Sequence, residues 1–357
     1  MQNVDSYVTI PKVSLEYASQ QRTTFNESKV ALLIENRANP ILAPLMLHFM
    51  SVVPPDWRFR FMGSVDSVEY INKSVAIREQ IKVGKLDLTY IPSNMSVSSQ
   101  EEISRFLTNQ WMYETVLAPA EWLLIFQTDS IMCANARQNL NDYLDYDWIG
   151  APWNPGSKFG GNGGLSLRRI SAILDVLRSQ NRADFSEAED VWLTERLGHR
   201  PNAKMANATV SLTFSGEMHT GRPTHLSSDR ETAKYNSTLE AAEQGELVKG
   251  IDDWREGFYE PLGYHTGGGG SYLHSQIWGS PRLRKHIWDY CPEVKMTLAM
   301  DAASYVPGSC GAYWKRDSLS GDYSMDTTGS LEADLGYGTE MIDGVEYPLL
   351  PDSFTPF

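Results

Sequence analysis

Four places along the chain hold side chains able to do chemistry. Asp129 follows an apolar run, Trp122-Leu123-Leu124-Ile125-Phe126, within Gln127-Thr128-Asp129-Ser130. Four glycines surround one asparagine in Gly160-Gly161-Asn162-Gly163-Gly164. Glu189 and Asp190 are adjacent carboxylates in Glu187-Ala188-Glu189-Asp190-Val191-Trp192. His265 stands in Gly263-Tyr264-His265-Thr266, ahead of the glycines Gly267 to Gly270. Carboxylates and imidazoles can move protons, and a glycine-dense loop lets backbone approach a ligand or take positive φ. Each place also has a plain structural explanation. The loop can be a tight turn, the paired acids can be N-terminal helix charge favoured by the macrodipole, and a lone histidine is most often structural or exposed. The loop is no Walker loop, since no Gly-Lys-Ser/Thr follows, and its glycine spacing is not the dinucleotide fingerprint.

The first third of the chain positions such residues by alternating strand and helix. Val30 to Ile34 is a short apolar run, the pattern of a strand buried on both faces. A helix is expected from Pro40 to Met50, a strand at Arg58–Met62 ending at Gly63, and one helix over Ser67–Lys82. A third strand, Leu86–Ile91, is closed by Pro92. A helix opening near Ser98-Ser99 carries Ile103, Phe106, Leu107, Trp111 and Leu117 at helical steps, and Trp122–Phe126 is the fourth strand. This order implies a mostly parallel sheet with right-handed crossovers. Ligands sit beyond the carboxyl ends of such strands, which singles out Glu35-Asn36-Arg37 and Gln127–Ser130. Asp147-Trp148-Ile149-Gly150 reads as a short strand into a turn. The glycine loop should lie near the same edge as Asp129, before a strand at Leu165 and a helix from Ser171 to about Ser179 whose Ile170, Ile173, Leu174 and Leu177 share a face. Trp288, Tyr290 and Cys291, before Pro292, read as a buried helix end. Phe214-Ser215-Gly216-Glu217 and Trp254 to Gly263 are expected on the acceptor side of any site.

Composition narrows the classes. The chain has 357 residues, 31 Lys+Arg against 45 Asp+Glu and a net charge of −14. An acidic chain is a poor phosphate-backbone binder, so no nucleic-acid partner is expected. At 41% hydrophobic and 21% charged residues it composes like a folded domain. No run approaches the ~20 apolar residues that span a bilayer, and the opening MQNVDSYVTIPK has no signal-peptide pattern, which gives a cytoplasmic expectation. Cys133, Cys291 and Cys310 suggest neither a disulfide framework nor a zinc site, nor does any lie beside a histidine motif suited to a thiol nucleophile. Five Asn-x-Ser/Thr sequons, at Asn26, Asn72, Asn94, Asn207 and Asn236, read as chance without an export signal. No Lys or Arg follows Arg316, while nine acids do; that tail reads as a solvated extension. A serine hydrolase is unsupported, because no Gly-x-Ser-x-Gly occurs.

Taken together, a lone Asp after an apolar strand, a glycine-rich loop, a Glu-Asp pair and a late His follow the order found in GT-A glycosyltransferases. The stretches IFQTDS, DWIGAPW, GNGGLSLR, EDVW and GYH resemble an uncharacterised GT-A-like family known mainly from fungi. The resemblance spans roughly residues 28–300. It implies an α/β fold of Rossmann type, with a mostly parallel central sheet flanked by helices and a smaller acceptor-side extension. It also implies an N-terminal extension (1–27), a nucleotide-binding half (28–130), an acceptor-side half (131–300) and an acidic tail (301–357).

The resemblance implies roles as well. Such enzymes move a sugar from a nucleotide-diphosphate sugar to a hydroxyl, and a divalent cation stabilises charge growing on the leaving diphosphate. Asp129 matches the last Asp of the metal-binding Asp-x-Asp motif and His265 the late metal-ligating His, for Mn²⁺ or Mg²⁺. Gln127 replaces the motif's first Asp, so the site has one carboxylate instead of two. Glu35, Arg37, Gln127, Thr128, Asp129, Gly161, Asn162 and Gly163 match the donor-binding region. Asp190 matches the base that deprotonates the acceptor in inverting members, with Glu189 as the fallback. Trp148 and Trp153 could stack on a sugar or pack in the core. The partners implied are a nucleotide-sugar donor and a hydroxylated acceptor, a small molecule (secondary metabolites included) or a glycan, with no obligate protein partner. The alternative is a non-catalytic nucleotide-sugar or carbohydrate binder on a degenerate scaffold. A nucleotidyltransferase ranks last, because Ile34-Glu35-Asn36-Arg37-Ala38 is not the basic glycine-rich loop it needs.

Overall fold

A computed structural model describes residues 25–220, 248–299, 339–342 and 345–348. The N-terminal extension lies almost wholly outside them, as does the acidic tail apart from one antiparallel hairpin, Thr339–Ile342 with Val345–Pro348. The hairpin's two strands are β10 and β11.

The central sheet holds β1 (Lys29–Ile34), β2 (Arg58–Gly63), β3 (Leu86–Tyr90), β4 (Trp122–Phe126), β6 (Trp148–Gly150) and β7 (Leu165–Arg169), in the order β3-β2-β1-β4-β7-β6. The first four strands are mutually parallel, and β7 runs antiparallel between β4 and β6. This is the expected α/β class, a Rossmann-type, mostly parallel sheet flanked by helices. Alternate residues of β1 feed opposite faces. Ala31 and Leu33 join Phe49, Phe59, Phe61, Leu124 and Phe126, while Val30 and Leu32 join Phe106, Leu123, Ile125 and Trp192. Both faces are dry, which is why this strand is apolar throughout. Against the first face Phe49 of α1 (Leu42–Val52) stacks on Phe126, ring centroids 3.8 Å apart. The second face is covered by α4 (Gln100–Leu107), α5 (Ile170–Leu177) and α6 (Glu189–Gly198).

Two expected helices are shorter than their periodicity suggests. The segment 67–82 forms α2 (Val65–Ile71) and α3 (Val75–Lys82), because the Ser74 hydroxyl accepts from Ile77 N and starts a new helix. The helix opening at Ser99 is α4 alone, and Met112–Val116 follows as a separate π turn. The buried helix end is present: α9 (Pro281–Tyr290) closes with Tyr290 and Cys291 fully buried.

A second, smaller sheet was not anticipated. It comprises β5 (Ser130–Met132), β8 (Ser215–Gly216, after α7, Ala208–Phe214) and β9 (Gly263–His265), in the order β5-β9-β8. Strands of two or three residues are too short to show a period. Beyond β9 lie α8 (Ser275–Trp278) and α9. Cys133, just past β5, is bonded to Cys291, just past α9, a sequence separation of 158. The expectation of no disulfide is therefore corrected. The two thiols meet only because the β5–β9 pairing and α9 fold back on each other, and spacing along the chain carries no trace of that.

The loop before α6 is tied to α4 by charge. Arg182 donates Nη2 to Glu101 Oε2 (2.7 Å) and Nη1 to Oε1 (3.1 Å), and Phe185 N also donates to Oε1. These partners, Arg182 first, hold the Glu101 carboxyl at about 2, against an ordinary 4.5. A depressed acid contributes stability that is complete above its unfolded pKa and lost as pH falls through the folded one. Glu101→Gln should therefore flatten the acid-unfolding curve between pH 4.5 and about 2, followed by tryptophan fluorescence. An unchanged curve would mean the cluster adds nothing.

Candidate functional site

Because β1 and β4 are parallel and β7 opposes them, the ends of β1 and β4 and the start of β7 share one sheet edge, with Phe126 facing Leu165. Gln127–Asp129 and the glycine loop are thereby neighbours: Gln127 N and Ser130 Oγ both donate to Gly164 O. Gly164 must lack a side chain, since a Cβ there would collide with His265 Nε2 and stand 2.7 Å from Gln127 Oε1.

The register of the small sheet, Ser130 opposite His265, brings Asp129 and His265 together. Both Thr266 N and Thr266 Oγ1 donate to Asp129 O. His265 Nε2 lies 3.4 Å from Asp129 Oδ1, and Nδ1 lies 3.1 Å from Glu217 Oε1. Asp129 Oδ2 accepts from Gly269 N at 3.0 Å. Gly269 belongs to the run Gly267–Gly270, in which every φ is positive (66°, 51°, 65° and 88°), a path open to glycine alone. Burial opposes charge on both groups and is outweighed on both. The two carboxylates hold His265 at about 10, and His265 with Gly269 N–H keeps Asp129 below the usual carboxylate range.

The contacts to His265 are short but off-line, so neither ring nitrogen has a hydrogen bond, and buried Glu217 Oε2 also has none. A divalent ion bound here would take the place of the proton on His265 Nε2, since a metal-ligating imidazole is neutral. Asp129 and His265 would supply it with one oxygen and one nitrogen donor, now 3.4 Å apart. Glu217 lies against the other ring nitrogen, where a carboxylate would orient a metal-bound imidazole. Among the described residues, no three His, Cys, Asp or Glu side chains form a group able to hold an ion.

The remaining expected residues divide. Glu35 and Arg37 are bound to each other at the end of β1, with Arg37 Nη2 donating to Glu35 Oε2 at 2.7 Å. The Arg37 side chain is 77% exposed, and its pKa is raised by Glu35 first and also by Asp129, so it faces the same edge. Thr128 is half-buried. Asp190 Oδ2 accepts from Gly163 N and Oδ1 from Val191 N, which ties α6 to the loop. Asn162 spends its side chain within the protein, donating Nδ2 to Glu217 Oε1 and accepting from Gly164 N. Gly161 O accepts from Trp148 Nε1. Trp153 is half-buried and its carbonyl contacts His219 Nε2 at 3.1 Å.

Two expectations are corrected. Glu189 is no spare base: both its oxygens accept from Arg168, at 2.9 and 3.0 Å, in a pair buried beneath the loop. Nor does Trp148 present a face to a sugar. It is 1% exposed and covered by the Arg168 guanidinium, 4.0 Å from its ring centroid. The sequence placed Glu217 on the acceptor side without a role and missed His219 and His274. Burial lowers the His274 pKa, Glu217 raises it, and His219 and His265 lower it further. No local pattern marks any of the three.

The Arg168–Glu189 pair yields a test. Removing one partner of a buried ion pair leaves a bare charge, worth about 3–5 kcal/mol. Arg168→Met should cost that much in urea unfolding, and adding Glu189→Met should recover part of it. A loss below about 1 kcal/mol would mean that the pair does not hold the loop's floor.

Residues 85–233 match a family described as "Protein of unknown function (DUF5672)". No curated protein matches the chain. Among solved structures it is similar to the mannosyltransferase PcManGT from Pyrobaculum calidifontis in complex with GDP-Man and Mn²⁺ (10% identity, TM-score 0.35, 46% of this chain and 50% of that one). It is also similar to the glycosyltransferase GlyE of Streptococcus pneumoniae (11%, TM-score 0.36, 67% and 54%). A third is an active-site mutant of LgtC (13%, TM-score 0.37, 75% and 100%). The chain spans about half the length of the first two.

Proposed function

We propose that the protein is a glycosyltransferase that moves a sugar from a nucleotide-diphosphate sugar to a hydroxyl of a small-molecule or glycan acceptor. The observation that carries this reading is the buried Asp129–His265 pair at the carboxyl edge of the sheet, with Glu217 against the other ring nitrogen. Bound Mn²⁺ or Mg²⁺ would supply positive charge against the leaving diphosphate. Asp129 and His265 would hold it, and Glu217 would fix the imidazole. Glu35 and Arg37, at the end of β1, lie where the nucleotide is expected, with the exposed guanidinium able to meet phosphate. Gln127 contributes an uncharged amide at the donor. Asp190 takes the acceptor's proton as general base, its carboxylate aligned by Gly163 N–H. Trp153, half-buried beside Gly160, is the remaining aromatic candidate for a sugar face.

A second reading is a binder of nucleotide sugars without turnover. Gln127 favours it, because one carboxylate holds an ion less tightly than two.

Thermal stabilisation by UDP-, GDP-, dTDP- and CMP-sugars, each with Mn²⁺ and with EDTA, tests the site, since a ligand that binds only the folded state raises its melting point. One nucleotide should stabilise selectively, and only with Mn²⁺. Asp129→Asn should abolish the Mn²⁺-dependent part, and Glu217→Gln should weaken Mn²⁺ binding about 10–100-fold. Stabilisation that survives EDTA removes the metal from the reading. Product analysis separates enzyme from binder: Asp190→Asn should stop transfer while donor stabilisation persists. Saturable binding by the unmutated protein with no product favours the binder.

A further inference from the structure

The disulfide and the sequons point to a different environment from the cytoplasm. Cys133 is 3% exposed and Cys291 fully buried, so their bond is part of the interior rather than a surface accident. It joins the end of β5, the strand opened by Asp129-Ser130, to the end of the last long helix, α9. A structural bond of this kind forms and persists in oxidising compartments and is rare where thiols are kept reduced. In such compartments of eukaryotic cells, Asn-x-Ser/Thr is a modification signal.

The sequons bear independently on the same point, because a glycan is tolerated only where the asparagine faces water. Asn26, Asn72, Asn94 and Asn207 are all exposed. Two of them use their side-chain oxygens locally: Asn26 accepts from Ser28, and Asn207 caps α7 by accepting from Val210 N. For Asn72 and Asn94, no side-chain hydrogen bond occurs among the described residues. Asn72 ends α2, and Asn94 lies four positions after β3, which closes one side of the central sheet.

We propose that this chain folds and works in an oxidising compartment and carries asparagine-linked glycans at Asn72 and Asn94. The test uses protein isolated from the cells that make it. Alkylation under denaturing conditions should leave Cys133 and Cys291 unmodified until a reductant is added. Peptide-N-glycosidase F in heavy-oxygen water should turn Asn72 and Asn94 into labelled aspartate, with one step down in mass for each site. Asn72→Gln and Asn94→Gln should each remove one mass step. If either variant fails to accumulate, peptide mapping of the unmutated protein still decides the matter. Reactive thiols at Cys133 and Cys291 before reduction overturn the proposal. So do unlabelled Asn72 and Asn94, whatever the state of the cysteines.

Discussion

Keeping the Asp129 carboxylate charged inside the protein is the constraint on which the rest of the site depends. Burying a carboxylate costs several kcal/mol unless charge and hydrogen bonds replace its water. Here His265 faces one oxygen and Gly269 N–H meets the other. Each partner makes its own demand. The N–H reaches inward only because four consecutive glycines hold a left-handed path. The imidazole fits only because Gly164 has no side chain. His265, itself buried, then requires Glu217. One charged atom thus fixes the chemistry of two glycine runs and a second acid far away in sequence.

Beneath the loop a second buried charge pair does mechanical work. Arg168 is fully buried, covers Trp148, donates to Gly163 O and grips Glu189 through two hydrogen bonds. Glu189 N in turn donates to Ser104 Oγ of α4. The glycine loop therefore rests on a floor anchored in the sheet and in two helices. Asp190, next in the chain, meets the same loop through Gly163 N. Both adjacent acids thereby hold the loop, one through Arg168 and the other through a backbone N–H.

The disulfide ties this arrangement to its surroundings. It fastens the short strand after Asp129 to the far end of α9, where hydrogen bonding alone has little length to work with: β5 and β9 share only three residue pairs. A covalent link across a separation of 158 residues restricts the unfolded chain strongly, by about 5 kcal/mol in the loop-entropy account. The Asp129–His265 register rests on three residue pairs and on the two hydrogen bonds from Thr266 to Asp129 O.

The sequence by itself determined the main sheet and its chemical edge. β1 and β4 are apolar on both faces because helices cover both faces, so period and composition reported the parallel strands, and with them the places where Asp129, Arg37 and the glycine loop must emerge. The order of motifs carried the resemblance. Tertiary structure alone decided the small sheet, whose strands of two or three residues have no period, and with it the meeting of Asp129, His265 and Glu217. It alone decided that Glu189 and Trp148 belong to Arg168, since an acid at a helix start and an aromatic on a strand read the same whether buried or facing a ligand. It also decided that Cys133 and Cys291 bond. Periodicity is a local property of the chain, whereas which charges share a buried space depends on separate elements arriving together.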